Sequence, residues 1–255
     1  MMNVKAFGLT HVGRQRQHNE DSFLVENEAH LFLVADGMGG HAAGEIASKI
    51  AVESINEFIV HTKEDDGTWP HAYDEQYKRS TNRLMAAVRL ANTRVLEAMR
   101  KDARLRGMGT TVVAALADES HNTMSVAHVG DSRAYLIRDN QLSRITNDHS
   151  WVFEQVQAGM LTEAEAEKHP LRNVITRALG GALQVSPDAT EIEAKTGDVY
   201  LLCSDGLTGM VPEDEILRLV TSHDGDLEGA AQALIDTANE RGGLDNITAV
   251  LVRTE

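Results

Sequence analysis

The sequence predicts an α+β fold in which antiparallel sheets carry helices on their outer faces. Short apolar runs, each closed by a polar turn, recur along the chain, and the helical stretches come in adjacent pairs instead of alternating singly with the runs. An all-parallel barrel is therefore disfavoured. The chain has 255 residues, 42% hydrophobic and 25% charged, a composition that buries a sizeable core.

The elements follow in order. Residues 30–35 (HLFLVA), ending at Asp36 and Gly37, read as a strand. Ile46, Ile50, Ile55, Phe58 and Ile59 share one face of a helix over residues 43–60. A polar segment, 61–81, reads as a surface loop, and Leu84, Val88, Ala91, Val95 and Met99 mark a second helix. Strands are expected at 111–116 and 125–129, then a hairpin of 134–138 and 141–145 turning on Asp139 and Asn140. Residues 150–172 are weakly helical, with Trp151, Phe153, Val156, Met160 and Leu161, and read as a flap. A strand at 199–203 precedes Pro212, Glu213, Asp214 and Glu215, a first-turn signature leading into Ile216 and Val220. Leu227, Ala231, Leu234, Ile235 and Ala238 make a last helix, and residues 247–252 a last strand. No repeat or low-complexity linker divides the chain, so residues 1–255 are expected to form one domain.

The net charge of −15, from 39 acidic and 24 basic residues, makes nucleic acid an unfavourable partner. The single cysteine, Cys203, excludes an intramolecular disulfide and a cysteine-rich zinc site. The N-terminal stretch lacks the apolar core of a signal peptide, and nowhere do eighteen apolar residues run together. A cytoplasmic protein with no membrane span is expected.

Four of the apolar strands carry an aspartate at one end: Asp36 in LFLVADG, Asp131 in AHVGDSR, Asp205 in LLCSDG and Asp245 in GLDNITAVLV. For any one of them, turn formation is the better reading, and Asp36, Asp205 and Asp245 are indeed followed by Gly or Asn. Four together point elsewhere, because a buried carboxylate needs a partner and no lysine or arginine stands locally to neutralise each. Hard oxygen donors without Cys or His spacing select Mg²⁺, Mn²⁺ or Ca²⁺, and the alternating acidic residues of a calcium hand are missing. A pair of such ions suits phosphate-ester hydrolysis. Phosphate oxygens also need a cation, for which spacing offers Arg14 and Arg16 equally; both also read as solvated charges balancing Glu20 and Asp21.

The series RQRQHNEDSF, VADGMGGHAAGE, GMGTTVVAAL, HVGDSRAYLIRDNQL, ITNDHS, VITRALG, LLCSDGLTGMV and GGLDNITAVLV resembles the metal-dependent type 2C protein serine/threonine phosphatases in their compact bacterial form. The motifs stand in family order from about residue 8 to residue 252. The resemblance implies a four-layer α-β-β-α sandwich: two antiparallel sheets, flanked by helix pairs, with the metal cleft at one end. It implies two core Mn²⁺ or Mg²⁺ ions and a third, weaker site, and hydrolysis of phosphoserine and phosphothreonine by a metal-bound hydroxide. Asp36 would bridge the core ions, and Gly37 would offer its carbonyl to the second. Asp205 and Asp245 would complete the first ion's shell, Glu20 and Asp21 would orient waters nearby, and Asp131 would join Asp205 at the third site. Arg16 matches the family's phosphate-binding arginine and so breaks the tie with Arg14. His41 in GGHAAGE is the candidate acid for the leaving oxygen. His128 and His149 are read as packing or hydrogen-bonding residues, and Thr110 and Thr111 as backbone turn chemistry.

Phosphorylated proteins, among them a cognate serine/threonine kinase or its substrates, would be the partners of a monomeric enzyme. Gln17-His18, where acidic residues or asparagine are common, and the long 61–80 insertion depart from the pattern and bear on substrate choice. A catalytically silent relative would have lost metal aspartates, and all are present. A magnesium hydrolase of small phosphate esters or nucleotides is opposed by the acidic surface and by the missing GxxxxGK[ST] loop.

Overall fold

The computed structural model describes residues 3–39, 42–63 and 73–255. Its elements are β1 (Val4–His11), β2 (Asp21–Glu26), β3 (Leu31–Met38), α1 (Ala42–His61), α2 (Arg79–Lys101), β4 (Gly109–Thr110), β5 (Val112–Asp118), β6 (Thr123–Val129), β7 (Arg133–Arg138) and β8 (Gln141–Arg144). There follow α3 (Trp151–Gln157), α4 (Glu163–Glu167), β9 (Asp188–Glu193), β10 (Val199–Cys203), α5 (Asp205–Thr208), α6 (Glu213–Ser222), α7 (Leu227–Glu240) and β11 (Ile247–Thr254). One sheet has the order β1-β11-β10-β7-β8 and the other β2-β3-β5-β6-β9, with β4 paired to β3. Every pairing is antiparallel.

The alternation of side chains along each strand builds four layers. On β3, Leu31, Leu33 and Ala35 pack against Ile55 and Ile59 of α1 and Leu84 and Val88 of α2. The intervening Phe32 and Val34 meet Tyr200, Leu202, Val250 and Val252 of the opposite sheet. On that sheet Leu201, Cys203, Ala249 and Leu251 face outward onto Ile216 of α6 and Leu234 of α7. The central strands are thus buried on both faces, the reason they read as continuous apolar runs. Each fully buried Leu or Phe contributes roughly 1.5–3 kcal/mol of transfer free energy.

The central strands and long helices fall where the sequence places them. β1, β2 and β9 carry no comparable signal, and all three are edge strands whose residues are mostly half-exposed, so their composition is mixed. The expected surface loop at 61–81 needs correction: α2 begins at Arg79, and Ser80 and Thr81 are buried. Thr81 Oγ1 bonds Ser125 Oγ at 2.7 Å and donates to Glu191 Oε1 at 2.6 Å, partners that only the fold supplies. Residues 64–72 of that segment lie outside the described residues. In the hairpin, Asp139 (φ 52°) and Asn140 (φ 60°) both take left-handed conformations, as a two-residue turn matched to strand twist requires. Pro212 occupies the N-cap of α6, one residue ahead of the first turn expected for it.

The 150–172 segment forms two short helices, α3 and α4, and its base is closed by backbone bonds from Trp151 N to Val174 O (2.9 Å) and Thr176 N to His149 O (2.8 Å). No helix among the described residues is long and apolar enough to cross a membrane.

Candidate active site

Strand pairing gathers the aspartates that are scattered in the sequence. Asp21 and Asp36 stand directly opposite each other in the β2–β3 ladder. Cys203 pairs with Ala249 on one side and Arg133 on the other, so Asp205, Asp245 and Asp131 emerge at the same end of the second sheet. Asp36, Gly37, Asp131, Asp205, Asp245 and Glu20 line one cleft of about 370 Å³, with Arg16 at its edge and Asn173 and Ile175 from the flap base on one side.

Several of the ligand candidates are held from behind. The Asp36 carbonyl accepts from Thr111 N (2.9 Å) and Thr110 Oγ1 (2.8 Å), and its amide donates to Thr111 Oγ1 (3.2 Å). The two threonines therefore fix the backbone around the aspartate, in line with their expected role. Gly37 has no room for a side chain: a Cβ would stand 2.2 Å from Gly44 O and 2.5 Å from Glu20 O. At Gly44 a Cβ would stand 2.7 Å from Glu20 Oε2, so this glycine makes space for the carboxylate. Asp21 is buried beneath the cleft, where its Oδ2 accepts from Ser204 Oγ (2.8 Å) and Thr248 Oγ1 (2.6 Å). Ser204 and Thr248 were invisible as site residues in the sequence; only the SerAsp and AsnIleThr contexts of two metal candidates hint at them.

The electrostatics of the cleft are one-sided. Burial, reinforced by Asp21, Asp205, Asp131 and Asp245, pushes the Asp36 carboxyl well above its ordinary range. Asp21 is pushed up to about 7 by burial, against the pull of the Thr248 and Ser204 hydroxyls. Burial and then Asp205 and Asp148 raise Asp131 to about 7. Asp205, raised by burial and Asp245, lies within hydrogen-bonding reach of Asp36. Glu20 is raised by burial too. Asp21 Oδ1 is buried with no hydrogen-bond partner. Directly opposed carboxylates, an orphaned carboxylate oxygen and a donor set made only of oxygen fit hard divalent cations.

Among the described residues Arg16 is the arginine lining the cleft, its Nη2 donating to Asp245 Oδ2 at 2.7 Å. That hydrogen bond raises its pKa. Arg14 is exposed, and its backbone amide bonds Gly243 O at 2.8 Å. His41 lies outside the described residues.

His128, His149 and Asp188 form a second group with metal-ligand side chains. The rings of the two histidines stack at 4.6 Å. His149 Nδ1 accepts from Gly130 N at 3.0 Å, so in the neutral ring Nε2 carries the proton; that nitrogen lies 3.2 Å from Asp188 Oδ2 but makes no hydrogen bond. A protonated nitrogen does not ligate metal, and Asp188 Oδ1 is already taken by Arg177 at 2.6 Å. Burial, then His128 and Arg177, lower His149 to about 4. The bonds the two histidines do make, His128 Nε2 with Asn147 O at 2.7 Å and Gly130 N to His149 Nδ1, are to main chain, which is compatible with a structural role. A larger hollow, about 560 Å³, lies at the opposite end of the β1–β11 ladder, where Lys5 pairs with Glu255 and Arg253 with Asp224.

The model of a family described as protein phosphatase 2C matches residues 8–249. The chain is 38% identical over 248 residues to a serine/threonine phosphatase, stp, of Listeria welshimeri, covering 94% of this chain and 92% of that protein. The crystal structure of the Mycobacterium tuberculosis serine/threonine phosphatase PstP/Ppp is 38% identical and superposes with a TM-score of 0.85 over 98% of each chain. The catalytic domain of PstP in complex with two manganese ions matches with a TM-score of 0.84 at 35% identity, over 100% of this chain and 99% of that one.

Proposed function

As a member of the protein phosphatase 2C family the chain is a metal-dependent serine/threonine phosphatase, and we propose that it acts on phosphoproteins with the residues of this one cleft. The observation that carries the assignment is the imbalance of charge: Asp21, Asp36, Asp131, Asp205 and Asp245 influence one another, while Arg16 is the cation bonded among them. Asp36, Gly37, Asp205 and Asp245 would hold the two core ions, and Asp131 with Asp205 would hold a third. Glu20 and Asp21 order water beside them. When bound, two divalent cations supply the Lewis acidity and the acidified water that phosphate-ester hydrolysis needs.

The chain's own residues do the rest. Arg16 gives one arm to Asp245, and a guanidinium with five N–H donors keeps capacity for phosphate oxygens. His41 is assigned the proton transfer to the leaving serine or threonine oxygen on the family resemblance. The flap base, through Asn173 and Ile175, forms the wall of the cleft across which a peptide must lie. Cys203 takes no part: burial drives its thiol up to about 12. We further assign residues 1–255 to a single catalytic domain, monomeric and cytoplasmic, whose substrates include a serine/threonine kinase or that kinase's targets.

The test is a panel of phosphopeptides and small phosphate esters assayed with Mn²⁺ and with excess EDTA. Higher kcat/KM on phosphopeptides, abolished by chelation and insensitive to thiol alkylation, is the expected result. Full activity in EDTA contradicts the metal assignment, and preference for small esters contradicts the substrate class.

A further inference from the structure

The loop that carries Arg16 has almost nothing to rest on. Residues 14–18 between β1 and β2 are all exposed, so packing contributes little to where the guanidinium sits. Three of the bonds that hold this segment come from one side chain on the far side of the sequence. Asn246 Nδ2 donates to Val12 O (2.9 Å) and to His18 O (3.0 Å), while Asn246 Oδ1 accepts from Glu20 N (2.8 Å). The orientation of the amide is dictated by its partners, since the reverse would set oxygen against two carbonyls. Asn246 is 5% exposed, and every one of these bonds is shielded from competing water at that end.

Two more bonds complete the seam: Arg14 N and Gln15 N donate to Gly243 O at 2.8 and 3.2 Å. Gly13, at φ +82°, allows the close approach, for a Cβ there would stand 2.2 Å from Asp245 O. Asn246 also has a second, separable role. Its backbone amide donates to Asp245 Oδ1 at 2.8 Å, and Asp245 Oδ2 is the oxygen that Arg16 grips. The main chain of Asn246 therefore orients the carboxylate, and its side chain orients the loop that brings the arginine to it.

We propose that the Asn246 side chain is a positioning residue for phosphate binding, clamping the 12–20 loop so that Arg16 is held at the cleft before substrate arrives. The proposal rests on the reading of Arg16 as the phosphate-binding arginine. Preorganisation of this kind acts on phosphate affinity, because a loose loop must be ordered at the moment of binding.

The experiment measures KM for a phosphopeptide, inhibition by inorganic phosphate and half-saturation by Mn²⁺ in Asn246→Ala, Arg16→Ala and the double variant. Asn246→Ala is expected to raise KM and the phosphate inhibition constant about tenfold, to move kcat less, and to leave Mn²⁺ half-saturation within about twofold, since the Asp245 bond is made by main chain. On an Arg16→Ala background the same change should add less than about twofold. Full additivity, unaltered phosphate inhibition, or Mn²⁺ binding that weakens in step overturns the proposal. If Arg16→Ala itself leaves phosphate affinity unchanged, it is the reading of Arg16 that falls. Asn246→Asp keeps the acceptor for Glu20 N and removes both donors in nearly the same volume; should the alanine variant fail to fold, the same rise in the phosphate inhibition constant is required of it.

Discussion

Asp148 and the cleft carboxylates lie close enough to influence one another and are neutralised in opposite ways. Asp148 is gripped by Arg133, with Nε to Oδ1 at 3.0 Å and Nη2 to Oδ2 at 2.7 Å, and by Arg144, whose guanidinium also lies 5.8 Å from the Phe153 ring centroid. There the fold gives one carboxylate two arginines. In the cleft, burial raises the pKa of Asp36, Asp21, Asp131 and Asp205, neighbouring carboxylates add to the rise, and the arginine bonded there, Arg16, is held by Asp245. The chain evidently can place arginines against buried acids, so their scarcity in the cleft marks it as a place where positive charge comes from outside. Asp148 reads as part of a structural ion cluster, and the cleft as the site proposed for the metals.

The contrast breaks most sharply at Asp36. Asp36→Ala removes the side chain assigned to both core ions, and kcat/KM with saturating Mn²⁺ should fall by roughly a thousandfold or more. Near wild-type turnover would mean that the cluster is not the catalytic centre. At the other cluster the loss should be of stability instead. Arg144→Met leaves Asp148 with Arg133 alone and should cost about 1–3 kcal/mol in urea denaturation, by the same amount with and without Mn²⁺. A Mn²⁺-dependent loss would merge the two clusters into one.

Arg16 sharpens the boundary between them. Arg16→Ala should lower kcat/KM about ten- to hundredfold, chiefly through KM, for one charge-assisted pair, while Arg14→Ala changes little and Mn²⁺ affinity holds in both. Equal losses in the two variants would show that the segment holds the site together instead of gripping phosphate.

The smallest effect is one of pH. In chelated protein Asp131 has a pKa of about 7, raised from 3.8, so between those values the folded state binds the proton and the unfolded state releases it. Stability from this group is therefore greatest at low pH and is lost as pH climbs through the window. His149, lowered to about 4 from 6.5, works the other way over part of the range, so the readout is the difference between Asp131→Asn and wild type. That difference should favour the variant by on the order of 1–2 kcal/mol more at pH 7 than at pH 4, and should reverse when Mn²⁺ is present. A difference independent of pH would place the Asp131 proton elsewhere.

Elements with a local signature were legible in the sequence. β3, β10 and β11 are buried on both faces and announce themselves as apolar runs, and the aspartates at their ends announce the cleft. What pairing creates was not legible. Nothing near Asp21 in the sequence shows that it faces Asp36, or that Ser204 and Thr248 hold its Oδ2. Ser80 and Thr81 looked solvated because their partners, Ser125 and Glu191, are more than forty residues away. Spacing alone could not choose between Arg14 and Arg16, since the choice depends on Asp245 and Asn246 at the other end of the chain.

That burial and mutual repulsion destabilise the cleft carboxylates until divalent ions join them is checked by thermal unfolding of wild type and Asp36→Asn at pH 7, each in EDTA and in saturating Mn²⁺. In EDTA the variant should melt several degrees above wild type, because it relieves the opposition of Asp21 and Asp36; in Mn²⁺ the order should invert, because wild type gains binding free energy the variant lacks. A wild-type protein that Mn²⁺ does not stabilise, together with a variant that melts below it in EDTA, would contradict the account.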